Sequence, residues 1–176
     1  MKLNKLMLAT VIAFSTASVA QAASNQGGGT VTFTGDIIDA PCSVAPESVD
    51  QTIKMGQISS SVLAKQGKSQ SEKFSIGLRD CDAAVKKSVQ VSFTGQTAEG
   101  NSELLGLAGT ARGAGIQLID GAGKKVELNG TPTDAITLLN GDSTLQFAAY
   151  LQGSTASGAI EPGEFTSVAN FTLAYQ

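Results

Sequence analysis

Histidine and tryptophan are absent from this 176-residue sequence, aromatics make up only 5%, and cysteine occurs twice. Without histidine, neither a Ser-His-Asp nor a Cys-His nucleophile can be assembled, and His-based metal sites are excluded. Two isolated thiols make a poor metal site on their own. Long apolar runs are also lacking: "LMLATVIAF" is too short, and its exit too small and polar, for a membrane span. There is no basic cluster. Only Lys86-Lys87 and Lys124-Lys125 are paired, as solvated loops would have them, which argues against nucleic acid or an anionic membrane as partner. Phosphate-binding loops are missing as well. "GTARGAGIQ" has the wrong glycine spacing and leads into a strand pattern, and "GAGKK" lacks the rest of G-x4-G-K-[ST]. Carboxylates are scattered, and Asp80 and Asp82 flank Cys81 in what reads as a solvated turn. A carboxylate pair that meets only in space is the one enzymatic arrangement left open. Asn129-Gly-Thr and Asn170-Phe-Thr match the glycosylation sequon by chance, and Asn170 lies inside a strand pattern.

What is present begins with an export signal. Lys2 and Lys5 precede the short apolar stretch, and Ala20-Gln21-Ala22 fits the small-residue cleavage rule, so residues 1–22 are expected to be removed. Removing 22 of the 176 residues leaves 154, enough for one domain with a real core. Losing two of the 12 basic residues leaves 10 against 15 acidic, a formal charge of −5. Both cysteines survive processing. In an exported chain an even pair is expected to form one disulfide, Cys42 to Cys81. Closing a loop of about 40 residues stabilises by roughly 4 kcal/mol in the chain-entropy account.

Twenty glycines, 41% hydrophobic residues and repeated period-two alternation predict many short strands joined by turns. "GGGTVTFTGDIIDAPC" puts Val31, Phe33, Gly35 and Ile37 on one face behind a glycine hinge. "QTIKMGQI" (51–58) places Ile53 and Met55 together, and "SSVLAKQG" permits a helical turn or two closed by Gly67. "EKFSIGLRDC" alternates at Phe74, Ile76 and Leu78, and "SVQVSFTG" at Val89, Val91 and Phe93. Residues 95–115 read as a glycine-rich loop with a short strand at Leu104–Leu107. "GIQLIDGAGKKVELNG" reads as a hairpin turning at Asp120-Gly121, with Val126 and Leu128 on the return. Asn140-Gly141 marks another turn before "TLQFAAYLQG", with Leu145, Phe147, Ala149 and Leu151 in phase. "GEFTSVANFTLAYQ" then alternates through Ala169, Phe171, Leu173 and Tyr175 to the last residue. Seven or eight strands without helical crossovers favour an antiparallel immunoglobulin-like sandwich.

Four features together, in order and over all residues after the leader, carry a resemblance. They are the opening strand "GGTVTFTGDIIDAPC", the cysteine pair, "VDQTIKMGQI" after the first cysteine, and a C-terminal run with Tyr175 penultimate and Gly163 fourteenth from the end. The chain resembles the major pilin subunits of type 1-like chaperone–usher fimbriae. That resemblance implies an immunoglobulin-like β-sandwich lacking its last strand, completed by a donor strand from a neighbouring subunit. It implies three segments: the leader 1–22, a donor extension 23–38 and a pilin domain 39–176. Val31, Phe33, Gly35 and Ile37 would enter a neighbour's groove, Gly35 at a shallow pocket. Gly163, Ala169, Phe171, Leu173 and Tyr175 would form the groove and chaperone-contact strand. The implied partners are other copies in a filament, a periplasmic chaperone, an outer-membrane usher, minor pilins and a tip adhesin, with no nucleic acid and no small-molecule cofactor. The implied location is a cell-surface fimbrium reached through the periplasm. Period two alone leaves 23–38 free to be the first strand of its own domain instead. Other functional readings are a minor or adaptor pilin of the same fibre and, from a different class, a secreted β-sandwich enzyme.

Overall fold

The alternating runs become strands close to where period two places them. The computed structural model describes residues 28–154 and 159–176, so the expected leader and the first residues of the expected extension lie outside the described residues. Along the chain come β1 (Ser43–Val44), the helical turns α1 (Pro46–Val49) and α2 (Ser60–Leu63), and a 3-10 turn (Ala64–Gln66). Then follow β2 (Glu72–Cys81), β3 (Ser88–Gly95), β4 (Thr97–Ala98), β5 (Asn101–Leu105), β6 (Ala108–Gly109) and β7 (Ala114–Asp120). The last are β8 (Asn129–Pro132), β9 (Ile136–Thr137), β10 (Gly141–Gly153), β11 (Phe165–Thr166) and β12 (Ala169–Tyr175). Five of the described strands have only two residues, and of the other seven all but β8 overlap runs that the sequence marks as strands.

Every ladder is antiparallel. One sheet runs β1-β2-β10-β7-β5-β4, another runs β12-β3-β8 with β9 also on β3, and β11 pairs β6. The register sets inward residues side by side, Phe147 opposite Phe74, Leu145 opposite Ile76 and Leu151 opposite Ile116. Because side chains alternate faces, each such match buries a whole row. Ile76, Leu78, Val89, Val91 and Leu145 are each no more than 1% exposed. Rings tie the two sheets together: Phe147 stacks on Phe74 at 5.6 Å and meets Phe93 of the facing sheet edge-on at 5.1 Å. The Cys42–Cys81 disulfide forms, with both residues buried, and pins the start of the domain to the end of β2. The helical turns close at Gly67, whose N–H donates to the Ala64 carbonyl at 3.0 Å.

Several expectations are corrected. The hairpin after β7 returns for only a step: Ile119 bridges Lys125 and the Val126 N–H donates to the Leu118 carbonyl. The chain then crosses to the other sheet, because Val126 and Leu128 gain more by entering the core between sheets. The turn itself is held by Asp120, whose carboxylate accepts from the N–H groups of Ala122 and Lys124. The strand expected at Leu104–Leu107 begins earlier, at Asn101. The C-terminal run is two strands, β11 and β12, broken at Ser167-Val168.

Two segments with strand alternation form no ladder among the described residues. Residues 51–58 carry no secondary structure, with Ile53 exposed and Met55 half-buried. Gly28–Asp36, in a unit separate from Ile37–Gln176, likewise form no ladder among the described residues. Val31 is 74% and Phe33 89% exposed, and at the start of the second unit Ile37 is fully exposed. Both segments have the sequence of a strand. A strand exists only where a second backbone accepts its hydrogen bonds, and neither segment has one here.

Candidate functional site

β12 is paired along its whole length on one side, from Ala169 opposite Gly95 to Tyr175 opposite Val89. Its other edge meets no strand among the described residues. Its core-facing residues Ala169, Phe171, Leu173 and Tyr175 pack on the core yet stay only half-buried. An open strand edge above partly wet apolar side chains is a template for another chain.

Beside that edge lies a groove of about 1390 Å³. Its floor is the inner face of the two sheets, including Phe74, Ile76, Phe93 and Leu118. Ala169 and Phe171 stand on one side and Ile53, Met55 and Ile58 of the unladdered 51–58 segment on another. Phe171 continues the ring chain, 6.5 Å from Phe93. The groove is therefore flanked by backbone with free donors and acceptors and floored by hydrocarbon. That arrangement binds an extended peptide by adding it as a strand.

Glycine shapes one end. A Cβ on Gly163 would run into Thr110 Oγ1 and the backbone nitrogen of Ala111, so only glycine lets that backbone lie so close. The contact belongs to a strap of chain that the sequence did not reveal. β11 pairs β6, Arg112 and Glu161 exchange backbone hydrogen bonds, and Ile160 and Phe165 join the groove lining. Two-residue ladders leave no periodicity to detect.

The structure thus puts Gly163, Ala169 and Phe171 on the groove, while Leu173 and Tyr175 continue along β12 beyond its lining. The Tyr175 hydroxyl is enclosed without a hydrogen-bond partner among the described residues, and burial raises its pKa above the ordinary 10.0. Val31, Phe33 and Gly35 belong to the separate N-terminal unit and Ile37 opens the next.

The groove rim carries Asp50, Lys54, Arg112, Glu161 and Glu164, but none of the three ion pairs among the described residues lies on it. Ion pairs join Arg79 to Glu47 at 2.5 Å, Lys124 to Asp134 at 2.9 Å and Lys125 to Glu103 at 2.6 Å, all away from its lining. The Lys125 hydrogen bond and charge lower the Glu103 pKa, and Asp134 in the same way raises that of Lys124. All three pairs are solvent-exposed and hence screened. Among the described residues no cluster of three or more His, Cys, Asp or Glu could hold a metal ion.

The profile of the fimbrial protein family matches residues 31–176. The chain belongs to that family. It is 55% identical to the Fimbria A protein of Serratia marcescens over 176 residues, covering all of both chains. It is 45% identical to the Major MR/P fimbria protein of Proteus mirabilis over 180 residues, again covering all of both. A chain from the structure of a chaperone–usher pilus superposes with a TM-score of 0.77 and 38% identity, covering 86% of this chain and 97% of that one. This fimbrial protein has the immunoglobulin-like β-sandwich expected of it, with one strand missing beside β12. Like the rest of its family, it is a structural subunit of a surface fimbria and assembles with other subunits.

Proposed function

We propose that this chain is the repeating shaft subunit of its fimbria and polymerises by lending residues 23–38 of one copy to the groove of the next. One observation carries the reading. The chain has an apolar groove beside the open edge of β12, and a segment with strand alternation that finds no ladder of its own. Each supplies what the other lacks. Val31, Phe33 and Ile37 are the donor side chains, each gaining on the order of 1.5–3 kcal/mol when buried. Gly35 is the informative position. A Cβ there would meet nothing within 4 Å, and the backbone is outside the left-handed region, so nothing in the lone chain requires glycine. A shallow place in a receiving copy would require it.

A donor-to-groove contact repeated from copy to copy is heterologous and does not close, so it grows an open filament. Before polymerisation the same edge must be covered, since an exposed apolar edge aggregates. A periplasmic chaperone lending a strand to the β12 edge, along Ala169, Phe171, Leu173 and Tyr175, fills that role, as chaperone–pilin complementation does in general. An outer-membrane usher then exchanges one strand for the other, and minor pilins and a tip adhesin complete the fibre. The test is removal of residues 23–38 from the exported chain. The truncated subunit is expected to keep its fold and accept a donor peptide, yet form no homopolymer. Long homopolymers of the truncated chain would end the proposal. Copy number in purified fibres separates a shaft subunit from an adaptor.

A further inference from the structure

Four stretches of chain meet at the end of the domain that carries the disulfide. The Asp82 N–H donates to the Pro41 carbonyl at 2.9 Å, beside Cys42–Cys81. The Ala83 N–H donates to Asn140 Oδ1 at 2.8 Å, and the Leu138 N–H to the Lys87 carbonyl at 2.9 Å. The last residue is tied in as well, the Gln176 carbonyl accepting from Lys87 and Ser88. This network holds two loops in fixed positions, and each presents an aliphatic side chain to water: Val85 is 64% and Leu139 68% exposed. Nothing in the lone subunit uses them.

Chain length says what covers them. If Ile37 sits in another copy's groove, only Ile38, Asp39, Ala40 and Pro41 separate it from Cys42. Ile37 and Cys42 are thus at most about 18 Å apart even when the tether is fully extended, so the disulfide end of the donating copy must lie beside the receiving copy. Antiparallel pairing on β12 is the more stable per residue, and it places Ile37 at the Ala169 end of that strand. Immediately before Ala169 stands Val168, 67% exposed. We infer that Val85 and Leu139 of one copy pack against Val168 and the groove mouth of the next, a second contact continuous with the donated strand. This rests on the donor-strand reading above. Fixing the angle between successive copies is the physical consequence, since a strand on a four-residue tether alone would leave the domains free to swing.

The test is radical footprinting of the unmodified subunit before polymerisation and in the fibre. Labelling of Val85, Leu139 and Val168 is expected to fall about tenfold on assembly, as water is shut out of an interface centre. If Phe33 and Ile37 become protected while Val85 and Leu139 stay labelled, the donor-strand reading stands and this contact is overturned. If Phe33 and Ile37 stay labelled in the fibre, both fail together. If Val85 and Leu139 are already protected in an unpolymerised subunit held by a carrier protein, the carrier is their occupant and the inference is overturned. A Leu139→Cys, Val168→Cys double variant assigns the neighbour, because the only two native cysteines are already bonded. Its fibres are expected to give a ladder of cross-linked copies without reductant. Fibres that assemble but give no ladder would overturn the pairing.

Discussion

β10 and β12 are built on the same plan and meet different fates. Both place apolar residues at every second position, Leu145-Phe147-Ala149-Leu151 in one and Ala169-Phe171-Leu173-Tyr175 in the other. β10 lies between β2 and β7, and its inward residues are 1–5% exposed. β12 has β3 on one side only, and its inward residues stay half-buried. The difference does not lie in the strands themselves. It lies in whether a second neighbour closes over them, and the groove beside β12 is the space that neighbour would occupy.

The comparison breaks most visibly if β12 is given its neighbour. Fusing a second copy of residues 23–38 after Gln176 through a short flexible linker raises the local concentration of donor strand to the millimolar range. Burying three large apolar side chains is expected to stabilise the subunit by on the order of 5 kcal/mol. That corresponds to roughly 10–20 °C in melting temperature for a domain of this size. Equal melting temperatures for fused and unfused subunits would mean that the edge of β12 is not an acceptor.

Truncation sharpens the contrast. Phe147→Ala in β10 is expected to cost about 3–5 kcal/mol in the unpolymerised subunit, the usual cost of emptying a phenylalanine site. Phe171→Ala in β12 is expected to cost only about 1–2 kcal/mol there, because much of its ring is still wet. In the fused subunit the two costs are expected to converge. Urea denaturation of both variants in both forms measures this, and a Phe171 cost unchanged by fusion would contradict it.

Gly35→Leu probes the donor side of the same contact. Overpacking a formed site costs about 1–3 kcal/mol, so exchange into the groove is expected to slow sharply. The unpolymerised subunit is expected to melt unchanged, since a Cβ at Gly35 meets nothing. Normal incorporation onto growing fibres, or an altered melting temperature of the lone subunit, would favour an ordinary intramolecular strand.

The smallest effect lies at the end of β12. Burial raises the Tyr175 pKa, so the fold prefers the neutral phenol. As pH rises past the unfolded value of 10.0, the unfolded chain ionises first and stability falls, until the raised folded pKa is passed. Below that window the contribution is fully present. Tyr175→Phe is expected to remove this part of the alkaline loss and leave stability at neutral pH almost unchanged, because the hydroxyl has no partner to lose. Melting curves from pH 8 to 11 for both proteins measure it; identical alkaline slopes would contradict the assignment.

Much of this architecture is local information. β2 and β3 span the residues that alternation marked, because a half-buried strand needs an apolar residue at every second position and nothing more. The disulfide follows from export and an even cysteine count. The pairing of 108–112 with 160–166 escaped, since two-residue ladders and a single backbone bridge have no period. Gly163 was visible as a residue of the C-terminal run, but the reason for it, a backbone passing against Thr110 and Ala111, belongs to the strap.

Period two by itself determined which residues of 30–38, 51–58, 144–153 and 169–175 share a face. It could not determine which backbones those faces would meet, because hydrogen-bonding partners in a sheet are set by segments distant in the chain. Tertiary structure decided that. It closed β2 and β7 around β10, left 28–36 and 51–58 without ladders among the described residues, and opened a groove beside β12. The physical reason is that a strand carries only half of each hydrogen bond it needs, and the other half comes from wherever the fold brings it.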